Sequence, residues 1–213
     1  MLFYSTVRMI VAGGSRAVYR ARIRGAHNVP ADGGYVFAPS HRSMMDIPFV
    51  AWLTPRRIRY MGKQQLFDVP LLGPIFTALG GFPVHRDGTD RKAVREAIGM
   101  LQAGEPMLVY PEGTRQHGPK IQPLEPGAAY LSLRAGVPIV PIGIAGSEEI
   151  LRTHSRHIPT FHRVAIVVGT PINPPERSGG VVPRAEVDAL TAHLHDTLQD
   201  LLDDAYDLRD LPS

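Results

Sequence analysis

The chain of 213 residues has no cysteine, which excludes disulfides, thiolate metal sites and any intermediate held on a cysteine sulfur. It has one tryptophan and no motif that interleaves aromatic with basic residues, so a nucleic-acid partner is not expected. Lysine is scarce, 3 against 20 arginines, and no acidic residue precedes Asp32. Long apolar runs are also missing. The uncharged stretch over residues 9–15 is far below the roughly 18 to 20 residues that span hydrocarbon. Because Arg8 and Arg16 break it and no small-residue cleavage site follows, a secretory signal is not expected either.

With 44% hydrophobic and 20% charged residues, the composition is that of one folded globule. Its charge is unevenly spread: residues 1–185 carry a surplus of ten positive charges, and residues 186–213 a surplus of seven negative ones. A basic body suits an anionic partner such as a phosphate ester or an acidic bilayer surface. Near the N-terminus Leu2, Phe3, Val7, Ile10, Val11 and Val18 alternate with Arg8, Arg16, Arg20, Arg22 and Arg24. This is an amphipathic helical pattern, satisfied either by a helix packed on the domain or by one lying on a membrane surface.

From residue 35 onward, short apolar runs alternate with helical stretches. Strands are expected at 35–38, 58–61, 81–84, 107–110, 138–144 and 164–168. Helices are expected at 44–53, 70–79, 90–102 and 127–135. This order predicts an α/β fold with a mainly parallel central sheet flanked by helices, preceded by the N-terminal amphipathic helical segment. After a proline- and glycine-rich connection over residues 170–183, a last helix places Val187, Leu190, Leu194, Leu198 and Leu201 on one face. In such sheets ligands gather at the carboxyl ends of the strands.

Four candidate elements follow strands. The first is Ser40-His41-Arg42-Ser43-Met44-Met45-Asp46. The spacing of His41 and Asp46 recurs three more times in the chain, but His41 alone stands where a strand hands over to a helix. A carboxylate that orients an imidazole there would make a general base, while Ser43 to Asp46 equally forms a capping-box pattern. The second is Gly81-Phe82-Pro83-Val84-His85-Arg86, where Arg86 offers a guanidinium fork for phosphate oxygens. In the third, Tyr110-Pro111-Glu112-Gly113-Thr114-Arg115, Gly113 and Thr114 supply N–H groups and Arg115 a second guanidinium. The fourth, residues 136–144, is apolar throughout and reads as a buried strand or the wall of an apolar slot.

Taken in order, these four elements resemble the blocks of the glycerolipid acyltransferase family, the 1-acylglycerol-3-phosphate acyltransferases, across about residues 35–145. The resemblance implies that His41 is the base and Asp46 its orienting carboxylate. It also implies that Lys63, Arg86, Glu112, Gly113, Thr114 and Arg115 surround the acceptor's polar head, with Pro141 in the fourth block. The implied partners are an acyl thioester donor, from coenzyme A or acyl carrier protein, and a phosphorylated glycerol acceptor, with phosphatidic acid as the product. No cofactor and no metal are expected. An enzyme handling such lipids is expected to be membrane-associated, peripheral or monotopic, on an anionic surface at the cytoplasmic face. The organisation expected is a membrane-surface segment at 1–24, an acyltransferase domain at 25–185 and an acidic C-terminal helix and tail at 186–213. The chain departs from the family at Leu124-Glu125-Pro126-Gly127, where an aromatic-lysine pair often precedes the glycine.

Within the class, the alternative acceptors are glycerol 3-phosphate itself or a lysophospholipid with a larger head group, and two readings of other classes remain. A serine esterase finds only Gly13-Gly14-Ser15-Arg16-Ala17, a near miss to G-x-S-x-G placed away from any strand end. A non-catalytic basic membrane-binding module accounts for the charge but gives His41 no task.

Overall fold

Residues 36–39 are buried on both faces, and the rest of the chain is laid around them. The computed structural model describes residues 2–70, 72–84, 91–150, 162–176 and 181–212. Among them, seven strands form one sheet: β1 (Arg22–Arg24), β2 (Val36–Pro39), β3 (Arg59–Lys63), β4 (Gly81–Val84), β5 (Met107–Leu108), β6 (Ile139–Ala145) and β7 (Ala165–Val168). Their order across the sheet is β1-β7-β6-β2-β5-β3-β4, and every pairing is parallel except that of β6 with β7. The α/β fold with a mainly parallel sheet is therefore the observed one.

Side chains alternate across the sheet as the pleat requires. Tyr35, Phe37, Val140, Ile142 and Ile144 pack toward Phe49 and Val50 of α3 (Asp46–Trp52). Val36, Ala38, Met107 and Ile139 face the other way. They meet α6 (Arg91–Gln102), α7 (Gly127–Ala135) and the long α9 (Arg184–Asp210). On this second face α9 lies directly on β6: a Cβ on Gly143 would stand 2.1 Å from the Leu201 carbonyl oxygen. Only glycine allows that approach.

The acidic last helix packs its apolar face into the main core. It buries Val187, Leu190, Leu194, Leu198, Leu202 and Ala205. Leu201, expected on that face, is only partly buried and packs against the small cluster of Ala145, Val167 and Ala205.

The N-terminal helical segment runs through α1 (Leu2–Arg8), a π turn (Met9–Gly13) and α2 (Gly14–Val18). It ends well before residue 24, because Arg22–Arg24 forms an edge strand paired with β7. Charged residues suit an edge, and Arg22 donates to the terminal carbonyls of the α9 region, 3.0 Å to Leu208, 2.7 Å to Leu211 and 2.9 Å to Pro212. One side of the segment packs on α3. Tyr4 and Ala12 are buried, and the guanidinium groups of Arg8 and Arg16 stand 5.9 and 5.1 Å from the centre of the Trp52 ring. The outer side leaves Phe3, Met9, Ile10, Val11 and Val18 exposed.

Two expected helices differ in detail. Met44 and Met45 form a turn, so α3 begins at Asp46. The helix expected at 70–79 is α5 (Leu72–Ala78), and a short helix that was not expected, α4 (Gln64–Phe67), precedes it.

The packing of α9 on β6 predicts opposite outcomes for two glycine replacements. Gly143→Ala should lower the unfolding free energy by about 1–3 kcal/mol through overpacking. Gly99→Ala, on α6 with nothing within 4 Å of the new methyl, should raise it by up to about 1 kcal/mol through helix propensity. Urea unfolding of the two variants distinguishes them, and equal stability would contradict the close approach at Gly143.

Candidate active site

The sheet register sets the position of His41. Pro39 lies opposite Ile142 of β6, and Ser40 continues the ladder by donating its N–H to the Ile142 carbonyl at 2.9 Å. The Ser40 hydroxyl accepts the Ile144 N–H at 3.0 Å, which ties the end of β2 to β6. His41 is the next residue, at the carboxyl end of the central strand.

Asp46, the first residue of α3, is fully buried. Its Oδ2 accepts the N–H groups of Arg42 and Ser43, each at 2.8 Å, and stands 3.0 Å from His41 Nδ1. Its Oδ1 accepts the hydroxyl of Ser147, at the start of α8 (Ser147–Ile150), at 2.5 Å. The capping-box reading and the orienting reading therefore describe one carboxylate, which closes the turn before α3 and holds the ring. A carboxylate at Nδ1 assigns the proton to that nitrogen and leaves Nε2 with its lone pair. Tyr110 stacks on the imidazole, with ring centroids 3.7 Å apart and 21° between planes. Burial, with the Asp46 charge adding to it, pushes the Tyr110 phenol well above the ordinary tyrosine value, so the stacked face is neutral.

The backbone of His41 is held at both ends. Its N–H donates to Glu112 Oε2 at 3.0 Å, and its carbonyl accepts the Gln116 N–H at 2.8 Å. Glu112 was expected to face the acceptor, but its side chain is fully buried and has other partners. Arg42 Nη1 donates to both of its oxygens, at 3.0 and 2.8 Å, and the Gln122 N–H donates to Oε1 at 3.1 Å. With its lone pairs occupied inside the protein, Glu112 fixes the His41 loop instead of contacting ligand. Its partner Arg42, also fully buried, reaches the Lys120 carbonyl at 3.2 Å. Sequence reasoning missed this arginine and Ser147. The only available signal was a charged residue between strand end and helix start.

Pro141 was implied as the fourth-block member of the substrate site. It is buried mid-strand in β6 and shares the α9 face with Gly143, toward Leu201 and Gly169. Period-2 alternation therefore turns it away from the α3 face, where Asp46 lies. Gly113, Thr114 and Arg115 form the turn after Glu112. Gly113 has φ +70°, and Thr114 is exposed while Arg115 is half-buried. The Gln116 bond to His41 brings this turn to the edge of the site. Leu124 to Gly127 returns to the same place, because the Glu125 N–H donates to the Pro111 carbonyl at 2.7 Å and Gly127 begins α7. Lys63 ends β3 opposite Val84, at the same end of the sheet as His41. Arg86 lies outside the described residues.

The Arg42–Glu112 pair predicts an asymmetric response to truncation. Glu112→Ala leaves a guanidinium buried without its counter-charge and should cost about 3–5 kcal/mol. Thr114→Ala removes only an exposed contact with Gln116 and should stay within about 0.5 kcal/mol. Denaturant unfolding of both variants checks this, and a small effect at Glu112 would contradict the buried pair.

Comparison with known proteins places the chain in a family. A 1-acyl-sn-glycerol-3-phosphate acyltransferase of Bacillus subtilis is 26% identical over 153 residues, 71% of this chain and 73% of that protein. The chloroplastic 1-acyl-sn-glycerol-3-phosphate acyltransferase of Brassica napus is 26% identical over 157 residues, and the match spans 45% of its length, less than half. The crystal structure of the 1-acyl-sn-glycerophosphate acyltransferase of Thermotoga maritima shares the fold, with a TM-score of 0.73 at 22% identity over all of this chain and 88% of that one. Residues 20–145, which carry His41, Asp46, Glu112 and Arg115, match the Acyltransferase family. That is more than half of the chain, which therefore belongs to the acyltransferase family that includes the 1-acyl-sn-glycerol-3-phosphate acyltransferases.

Proposed function

We propose that the chain transfers a fatty acyl group from a thioester, of coenzyme A or acyl carrier protein, to the free hydroxyl of 1-acylglycerol 3-phosphate, making phosphatidic acid. The observation that carries this reading is the His41–Asp46 pair at the end of β2, at 3.0 Å, with Nε2 left as the acceptor. Nε2 takes the hydroxyl proton as that oxygen attacks the thioester carbonyl. The tetrahedral intermediate then expels the thiolate, which recovers the proton from the imidazolium. Asp46 stabilises that imidazolium and keeps the ring in the productive tautomer. A base placed this way is worth about 10²- to 10⁴-fold in rate, and holding the two substrates together supplies much of the rest. The step needs neither a covalent enzyme intermediate nor a cofactor. Arg115, with Lys63 at the end of β3 and Arg86, which follows Val84 by two residues in the sequence, is the cationic set for the acceptor phosphate.

The acyl chains of such substrates put the reaction at a bilayer, and the surface fits one. Met44 and Ile47, close to His41 in the chain, are exposed, as are Met9 and Ile10 on the N-terminal segment. Between that segment and α3 lies an apolar cavity of about 130 Å³ lined by Tyr4, Val7, Ala12, Ile47, Pro48 and Leu108 among others. Among the described residues no helix is long and apolar enough to cross a membrane. In this reading the segment is a surface anchor that inserts Met9 and Ile10, with the exposed Arg16 and Arg20 toward anionic headgroups at the cytoplasmic face.

Purified protein offered an acyl thioester with 1-acylglycerol 3-phosphate, glycerol 3-phosphate or a lysophospholipid of larger head group should prefer the first, as read by mass spectrometry of the product. His41→Ala should abolish transfer and remain folded, and Asp46→Asn should lose less. More than a few per cent of activity in His41→Ala would refute the base assignment.

Surface attachment is tested without disturbing the packed side of the segment. Met9→Ser with Ile10→Ser, at 65% and 68% exposure, should leave the unfolding midpoint unchanged and weaken sedimentation with anionic vesicles severalfold. Undiminished binding would move the membrane contact elsewhere.

A further inference from the structure

The Asp46 carboxylate has two oxygens, and the chemistry above uses one. Oδ2 serves His41, Arg42 and Ser43, while Oδ1 is met by the Ser147 hydroxyl at 2.5 Å. Ser147 is fully buried and lies 101 residues further along the chain. The chain reaches it through Gly146, whose φ of +89° lets β6 turn sharply into α8; a Cβ there would stand 2.2 Å from the Arg163 carbonyl oxygen. From the far side α9 braces α8, with Tyr206 donating to Glu148 at 2.7 Å and Arg209 to Glu149 at 3.1 Å. The serine is thus delivered to Asp46 by the end of one strand and clamped there by a helix.

A hydroxyl beside an ionised carboxylate donates to it. Take the hydroxyl away and Oδ1 becomes a buried carboxylate oxygen with no other hydrogen bond recorded among the described residues. Such an oxygen is strongly destabilised, and the carboxylate can relieve it by turning about its Cβ–Cγ bond. That turn would carry Oδ2 out of the imidazole plane, weakening the contact that keeps the proton on Nδ1. Ser147 is not itself a nucleophile: it is buried, and its hydroxyl is committed to Asp46.

We propose that Ser147 is a positioning residue for the His41 base, its hydroxyl locking the Asp46 carboxylate in the orientation that keeps His41 Nε2 unprotonated and aimed at the acceptor. This rests on the reading of His41 as the base of acyl transfer. The Ser147 proton stays on Oγ and the Nδ1 proton stays on the ring throughout.

The test compares wild type, Ser147→Ala, Asp46→Asn and the double variant in full-length protein. Ser147→Ala should lower kcat by about tenfold, the scale of a small misplacement of a catalytic group, and leave the KM of donor and acceptor within about twofold. In the Asp46→Asn background the same replacement should cost nothing further, because the serine acts through that carboxylate. Nitrogen-15 NMR of labelled histidine, with His41→Ala identifying the signals, reads the ring without substrate. Wild type should show the Nδ1–H tautomer, and Ser147→Ala a shift toward the Nε2–H form that free imidazole side chains favour. An unchanged kcat, an equal loss in the Asp46→Asn background or an unchanged ring pattern would each overturn the proposal. Absence of transfer by wild type to every acceptor would overturn the functional reading instead, and the NMR comparison alone would then decide the role of Ser147.

Discussion

The buried carboxylate of Asp46 is the point on which the site depends. Taking an ionised carboxylate out of water costs several kcal/mol, and the structure offsets this with four hydrogen-bond donors rather than with a cation held against it. Those donors come from the loop after β2 and from the turn after β6, where Ser147 stands 101 residues beyond Asp46. Satisfying one charge therefore fixes the start of α3, the path of the His41 loop and the approach of α8 together. A looser arrangement would leave a lone pair unpaired in the core.

A second carboxylate, Glu112, divides the work. Asp46 holds the ring of His41, while Glu112 holds its backbone N–H and is neutralised by Arg42. With both carboxylates ionised, the buried set of Asp46, Glu112 and Arg42 carries one net negative charge, and it becomes neutral when His41 takes up a proton. The neutral Tyr110 face against the imidazole adds no competing charge.

The two faces of the sheet have different tasks. The face covered by α6, α7 and α9 is a packed support on which Gly143 lets the long helix sit against the strand that carries Ser147's turn. The face covered by α3 and the N-terminal segment holds the buried Asp46 carboxylate and the apolar cavity. The N-terminal segment satisfies both readings of its amphipathic pattern, because Tyr4, Ala12 and the Trp52 contacts use its inner side while Met9 and Ile10 remain outside.

Much of this was legible in the sequence, and the reason is local. Short apolar runs followed by helical periodicity mark strands that must be covered on both sides, so β2, β4, β6 and the parallel sheet followed from pattern alone. His41 was legible because it stands directly after such a run. What the sequence could not decide is set by partners distant along the chain. Arg42 received no role from the sequence and Glu112 was implied to face the acceptor, since only an ion pair across 70 residues makes their burial tolerable. Arg22–Arg24 read as the end of a basic helix until the edge of β7 supplied its partner. The facing of Pro141 and the choice of Leu202 over Leu201 depend on how α9 docks on β6. The sequence determined which residues could do the chemistry, because that depends on their functional groups and on the strand end they follow. Tertiary structure decided which of them meet the imidazole, because a buried charge is stable only where the rest of the chain brings its donors.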